Sequence, residues 1–219
     1  MQYHQHNQRQ YEMILSVSRK LFIECGIDSV SLGAIANECG ISRVTLYRYF
    51  KNKEALLWSI VHQHYQALGK NLHQRLESLP APHTAFMRYT VFFQEMLHTF
   101  EYSPDVFLFM GIFDKKYQTE TSALFSPLYA SCFAADDFKS KDTVKFLEED
   151  FSDGSIRTEL TAHALAVSAA YLCYYTVLGV CKDEKELSVK YGLKGVDLVR
   201  SIFKQFLCGI SSETPAVSL

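Results

Sequence analysis

Between Ser31 and Phe50 the chain reads Ser-Leu-Gly-Ala-Ile-Ala-Asn-Glu-Cys-Gly-Ile-Ser-Arg-Val-Thr-Leu-Tyr-Arg-Tyr-Phe, and few folds accommodate that order. Ser31 is suited to cap a helix, and Leu32, Ile35, Ala36 and Cys39 then share one face of it. Gly40 stops this helix after about two turns, because glycine takes the left-handed backbone that a helix end needs. Ile41 is a single apolar plug, and Ser42 caps the next helix almost at once. Upstream, Ile14, Ser18, Leu21, Phe22 and Cys25 recur at helical spacing, with Arg19, Lys20 and Glu24 elsewhere on the wheel. They predict an amphipathic helix over residues 9–25, closed by Gly26.

Two short helices joined by a tight turn around a glycine form a helix-turn-helix. In the third helix, residues 42–50, Leu46 and Phe50 are four apart and can bury together. Arg43, Val44, Thr45, Tyr47 and Arg48 are left facing outward. Guanidinium, hydroxyl and phenol groups suit phosphates and base edges, and a valine or threonine methyl can touch a thymine methyl. Lys51 and Lys53 add positive charge next to this face. The plain alternative is a helical hairpin with an ordinary polar surface. Net charge does not decide between them: it is −2 overall, +2 over residues 1–58 and −4 over the remainder.

The stretch from Ser31 to Leu57, with the preceding Lys20-Leu-Phe-Ile-Glu-Cys-Gly26, resembles the DNA-binding domain of the tetracycline-repressor (TetR) family. The marks are Ile35-Ala36, Gly40-Ile41-Ser42, Leu46-Tyr47, Phe50 and Lys53-Glu54. The resemblance implies that Tyr47 and Lys53 hold phosphates and that Ser31, at a helix N-terminus, does the same. It implies that Arg43, Val44 and Thr45 lead the recognition helix and meet the bases, with Ser42 and Arg48 completing the DNA-binding set. Two departures stand out. Val44 occupies a position where the family often has a small residue, and the N-terminal arm is rich in Gln and His, with Arg9 its first basic residue.

The remaining pattern is helical, with no strand-like alternation and no repeat. Apolar spacing predicts a long helix over residues 52–78, ended by Pro80 and Pro82, and a second over Thr84–Phe100. Weaker segments fall at 105–113, 120–134 and 142–151. Asp153-Gly-Ser-Ile-Arg157 is expected to open a long helix running to Val180. A polar break at Cys181–Gly192 follows, then a last helix over 194–210 and a frayed tail from Ser211. The expected fold is all-α: a three-helix helix-turn-helix domain at 1–58 and a helical effector-binding and dimerisation domain at 59–219. The resemblance implies a four-helix dimer interface built from the last two helices of each subunit. Ala162, Ala164, Ala166, Ala169 and Ala170 would allow close approach there, and Val167, Tyr171, Leu172, Tyr174, Tyr175 and Leu178 cover most of the helix circumference. A helix apolar nearly all round needs burial on two sides.

Aromatics concentrate in the middle, with 12 Phe and 7 Tyr in residues 81–180. They serve as core, or line a pocket for an apolar or aromatic effector. The candidates are Phe86, Tyr89, Phe93, Phe109, Phe113, Tyr171 and Tyr175. The six cysteines form no CxxC pair and no zinc spacing, so no metal is expected. No phosphate-cradling Gly loop, His-Glu-x-x-His or nucleophile elbow occurs, so neither an enzyme nor a cofactor is expected. No uninterrupted apolar run reaches the ~18 residues of a membrane span, and the polar N-terminus lacks a signal core; the expectation is a cytoplasmic protein without membrane partners. The combined reading is a homodimeric DNA-binding regulator on a near-palindromic operator, a repressor released by a small apolar or aromatic ligand. The alternative is a ligand-independent or activating member of the same family.

Overall fold

Glycines and prolines divide the chain into helices, and the helices account for nearly all of its regular structure. A computed structural model describes residues 2–118 and 143–213. Its helices are α1 (Gln2–Cys25), α2 (Leu32–Glu38), α3 (Arg43–Tyr49), α4 (Lys53–Glu77), α5 (Ala85–Tyr102), α6 (Asp105–Gln118), α7 (Thr143–Glu148), α8 (Ala162–Tyr191) and α9 (Gly195–Ile210). Among the described residues there is no strand, and one isolated bridge joins Ile156 to Ser211. Gly26 and Gly40 take the left-handed backbone expected at the ends of α1 and α2, with φ of 81° and 64°. The helix expected at 120–134 lies outside the described residues, as does the tail beyond residue 213.

Internal contacts gather the chain into two units. The first holds the residues up to His64 and, from Leu108, the C-terminal part of α6. Here α2 packs on α1 and α3 on α2. The fully buried Ile14, Phe22, Ile35, Ala36 and Leu46 form the centre of this small core. Trp58 of α4 meets Phe113 of α6 edge-on, with ring centroids 4.9 Å apart, and Phe22 lies 6.3 Å from Phe109.

The second unit contains Tyr65–Phe107 and the described residues from 143 on. Helix α9 packs along α5, α8 packs on α9 and on α7, and α7 reaches α5. Phe93 and Phe203 meet at 4.7 Å in a core that also buries Tyr89, Cys173 and Val177. By length and composition α8 could cross a membrane. Here it buries Leu165, Ala166, Ala169, Cys173 and Val177.

Two expectations for this unit are corrected. Asp153-Gly-Ser does not open α8, which starts at Ala162 with the Thr161 hydroxyl accepting from Ala164 N–H at 3.2 Å. It caps a different helix. The N–H groups of the first turn of α5 have no helical partner. Thr84 accepts from Met87 N–H at 3.2 Å, Asp153 Oδ2 from Ala85 N–H at 2.7 Å, and Ser155 Oγ from Phe86 N–H at 3.0 Å. The polar stretch expected to break the chain at Cys181 is instead helical to Tyr191, where Gly192 ends it with φ 65°. Lys182-Asp-Glu-Lys-Glu186 are exposed, and Lys and Glu favour helix; polarity marked a solvated surface.

A charged group also lies in this core. Glu95 is 2% exposed and accepts from Asn71 Nδ2 at 2.7 Å and from Arg75 Nε. Removing one member of a buried pair leaves the other charge without compensation. Arg75→Met strands the buried Glu95 carboxylate and is expected to cost about 3 kcal/mol in urea unfolding. Glu95→Gln is expected to cost less, because the Arg75 side chain is 39% exposed and can turn to water. The reverse order of losses would contradict this assignment.

Candidate nucleic-acid interface

A seven-residue helix is too short to persist by itself. Two devices hold α3. Ser42 has extended backbone, and its hydroxyl accepts from Thr45 N–H at 3.0 Å while sharing a 2.9 Å hydrogen bond with the Thr45 hydroxyl. On the inner side Leu46 is 0% and Phe50 2% exposed. Ser31 caps α2 in the same way, accepting from Ala34 N–H at 3.1 Å. The hydroxyl oxygens of Ser31 and Ser42 thus accept capping bonds, and the Thr45 hydroxyl pairs with that of Ser42.

The outer side of α3 presents what the pattern predicts. Arg43, Val44, Tyr47 and Arg48 are exposed, Val44 at 74% and Tyr47 at 55%. Among the described residues there is no protein acceptor for the Arg43 guanidinium. A support unforeseen in the sequence comes from α1, which begins at Gln2 rather than near residue 9. Tyr49 donates to Gln10 Oε1 at 2.9 Å, and Tyr11 stacks on Phe50 at 5.4 Å. The helix that carries the N-terminal arm therefore clasps the C-terminal end of α3.

Lys53 occupies a different setting from the other candidates. Its ammonium donates to the carbonyls of Ile27, Asp28 and Val30 at 2.8, 3.3 and 2.9 Å. An ammonium has three N–H groups, and here three acceptors match them. To hold a phosphate, Lys53 would have to release one of these carbonyls. Lys116 of α6 donates to the Asp28 side chain in the same loop, and this contact holds the Asp28 carboxyl below its ordinary value. The loop leading into α2 is therefore tied by one lysine through its backbone and by another through its side chain.

The aromatic candidates for an effector pocket fall in both units. Phe109 and Phe113 belong to the first unit; Phe86, Tyr89, Phe93, Tyr171 and Tyr175 belong to the second. Phe93 is filled in by Phe203 and Phe206, at 4.7 and 5.3 Å. Among the described residues, Tyr171 and Tyr175 do not face the core. They project from α8 at 62% and 50% exposure, because the opposite side of the helix carries the residues that pack inward. Tyr89 is the exception: it is wholly buried, and its hydroxyl has no hydrogen-bond partner among the described residues. A groove of about 650 Å³ beside Cys181, Lys185, Ser188, Leu193 and Val196 includes none of the seven. No group of metal-ligating side chains occurs among the described residues.

Residues 14–60 match the family model for bacterial regulatory proteins of the tetR family. An HTH-type transcriptional regulator of Mycobacterium tuberculosis is 34% identical over 71 residues, which is 32% of this chain and 35% of that protein. The chain thus spans about a third of the length of such curated relatives. The fold extends further. The ketosteroid transcriptional regulator KstR2 of Mycobacterium tuberculosis superposes with a TM-score of 0.63 at 18% identity, covering 94% of this chain and 96% of that one. The fatty acid degradation regulator FadR of Bacillus halodurans gives 0.66 at 13% identity, covering 90% and 94%. The family likeness in sequence is therefore carried by the helix-turn-helix, residues 14–60.

Lys53→Met removes the ammonium that satisfies three loop carbonyls and is expected to destabilise the protein by about 2 kcal/mol. Lys53→Arg should recover part of that loss. Thermal unfolding in the absence of DNA checks this directly, and a Lys53→Met protein as stable as the unmodified one would contradict the cage.

Proposed function

We propose that this chain is a sequence-specific DNA-binding transcriptional regulator, a cytoplasmic homodimer that represses from a near-palindromic operator. The observation that carries the reading is the division of α3 into a buried side, Leu46 with Phe50, and an exposed side, Arg43, Val44, Tyr47 and Arg48. A helix held this way fits the major groove, which carries a distinct pattern for each base pair. In this reading Arg43, Val44 and Thr45 meet base edges, and Tyr47, Arg48 and the capped N-termini at Ser31 and Ser42 meet phosphates. Lys53 keeps the loop before α2 in register and reaches a phosphate only by leaving its cage. Residues 1–58 form the reading head, and the following helices carry dimerisation and effector binding.

The dimer reading rests on α8. Tyr171 and Tyr175 are exposed rings with centroids 5.6 Å apart, on a helix whose other side is packed. Exposed aromatic groups of this kind are enriched in protein interfaces. Ala166 and Ala169 are wholly buried within the chain's own core and take no part in this surface. The effector reading rests on Tyr89, whose hydroxyl has no partner among the described residues and, in an aromatic core, suits a small apolar ligand bearing a hydrogen-bonding group. A compound that raises the melting temperature and lowers operator affinity would favour this reading; binders that leave DNA affinity unchanged favour ligand-independent regulation.

Selection of bound fragments from the source genome supplies the operator on which the roles are tested. Tyr47→Phe should weaken binding to all sequences alike, since phosphate contacts position without specifying. Arg43→Ala should relax preference at one or two base pairs, by about 1–3 kcal/mol for a bidentate guanine contact. Unchanged preference in Arg43→Ala, with altered preference in Tyr47→Phe, would overturn the division. For the dimer, Tyr171→Arg should give helical monomers with poor operator affinity, seen by light scattering. A monomeric unmodified protein at micromolar concentration would contradict the assembly.

A further inference from the structure

Gly33 is the second residue of α2, inside a helix of only seven residues. Glycine is, after proline, the poorest helix former. Its backbone does not demand glycine, since it is helical and lacks the positive φ seen at Gly26 and Gly40. The reason lies outside its own helix. A Cβ at position 33 would sit 2.8 Å from Arg43 Nη2, 2.9 Å from Nε and 3.0 Å from Cζ. Nη2 and Nε are nearer than Cζ, so the guanidinium lies against this glycine with its Nε–Nη2 side. Arg43 is the first residue of α3, it is exposed, and among the described residues no acceptor engages its N–H groups.

We propose that Gly33 is a specificity-determining residue: its missing side chain forms a seat on α2 for the Arg43 guanidinium, and that seat sets which base Arg43 reads. The inference rests on the DNA-binding reading above and extends it to a residue outside the recognition helix. A free arginine samples many rotamers, and ordering it on DNA costs conformational entropy. A guanidinium already laid against α2 has lost part of that freedom, and its planar donor fork remains available for the two acceptors of a guanine edge. Filling the seat does not force the helices apart, because the colliding atoms are the far end of a flexible side chain. It forces Arg43 elsewhere.

The test uses full-length Gly33→Ala, Arg43→Ala and the double variant, with the operator and its single-base-pair variants. Gly33→Ala should melt no lower than the unmodified protein. It should lose about tenfold discrimination at the base pairs that Arg43→Ala also relaxes, and little elsewhere. In the Arg43→Ala background the same substitution should add nothing, since the two residues act as one unit. Gly33→Ser, of similar size, should behave alike. Equal weakening across all sequences, persisting without Arg43, would show that Gly33 admits the DNA backbone and would overturn the proposal. Unchanged discrimination in Gly33→Ala would overturn it too. An unmodified protein that selects no sequence from the genome would remove the regulator reading, and this inference with it.

Discussion

The helix-turn-helix depends on anchoring a helix too short to stand alone. Isolated helices below about 12 residues are marginal in water, so the seven residues of α3 hold their shape only through what grips them. Leu46 and Phe50 bury its inner side, Ser42 closes its start, and α1 reaches its far end through Gln10 and Tyr11. Because those groups use the inner side, the outer side is free of structural duty. That freedom allows Arg43, Val44, Tyr47 and Arg48 to face solvent without cost to the fold.

The same logic applies one loop upstream. The turn between α1 and α2 has backbone carbonyls that no helix uses, and the Lys53 ammonium collects three of them. Lys116 holds Asp28 from α6. Positive groups near a DNA-binding surface are easily read as phosphate ligands from sequence. Geometry separates the two settings: the Lys53 ammonium has three carbonyl partners, whereas the Arg43 guanidinium has no acceptor among the described residues.

Much of this was legible in the residues. Ser31, Gly40, Ser42, Leu46 and Phe50 each have a local role that spacing reveals, and the structure places each in that role. Other features were not legible, for physical reasons. Asp153 looked like a helix start because Asp and Gly favour such positions, yet its partner is Ala85, 68 residues away, and no local pattern carries that distance. The polarity of Cys181–Gly192 suggests a break, yet an exposed helix is equally polar, and this one runs to Tyr191. Tyr171 and Tyr175 stand among the pocket candidates because spacing on a helix apolar nearly all round does not tell its inner from its outer side. Gly33 meets Arg43 only after two helices have packed, so its role is invisible before the fold.

The central claim is that the exposed side of α3 enters the major groove of DNA from each half of a symmetric dimer. Dimethyl sulfate distinguishes the grooves, since it methylates guanine N7 in the major groove and adenine N3 in the minor. The account predicts, on the selected operator, protection of guanine N7 at two symmetric positions about one helical turn apart, or slightly more, with adenine N3 left reactive between them. Protection confined to adenine N3, or a single unsymmetric footprint, would contradict it.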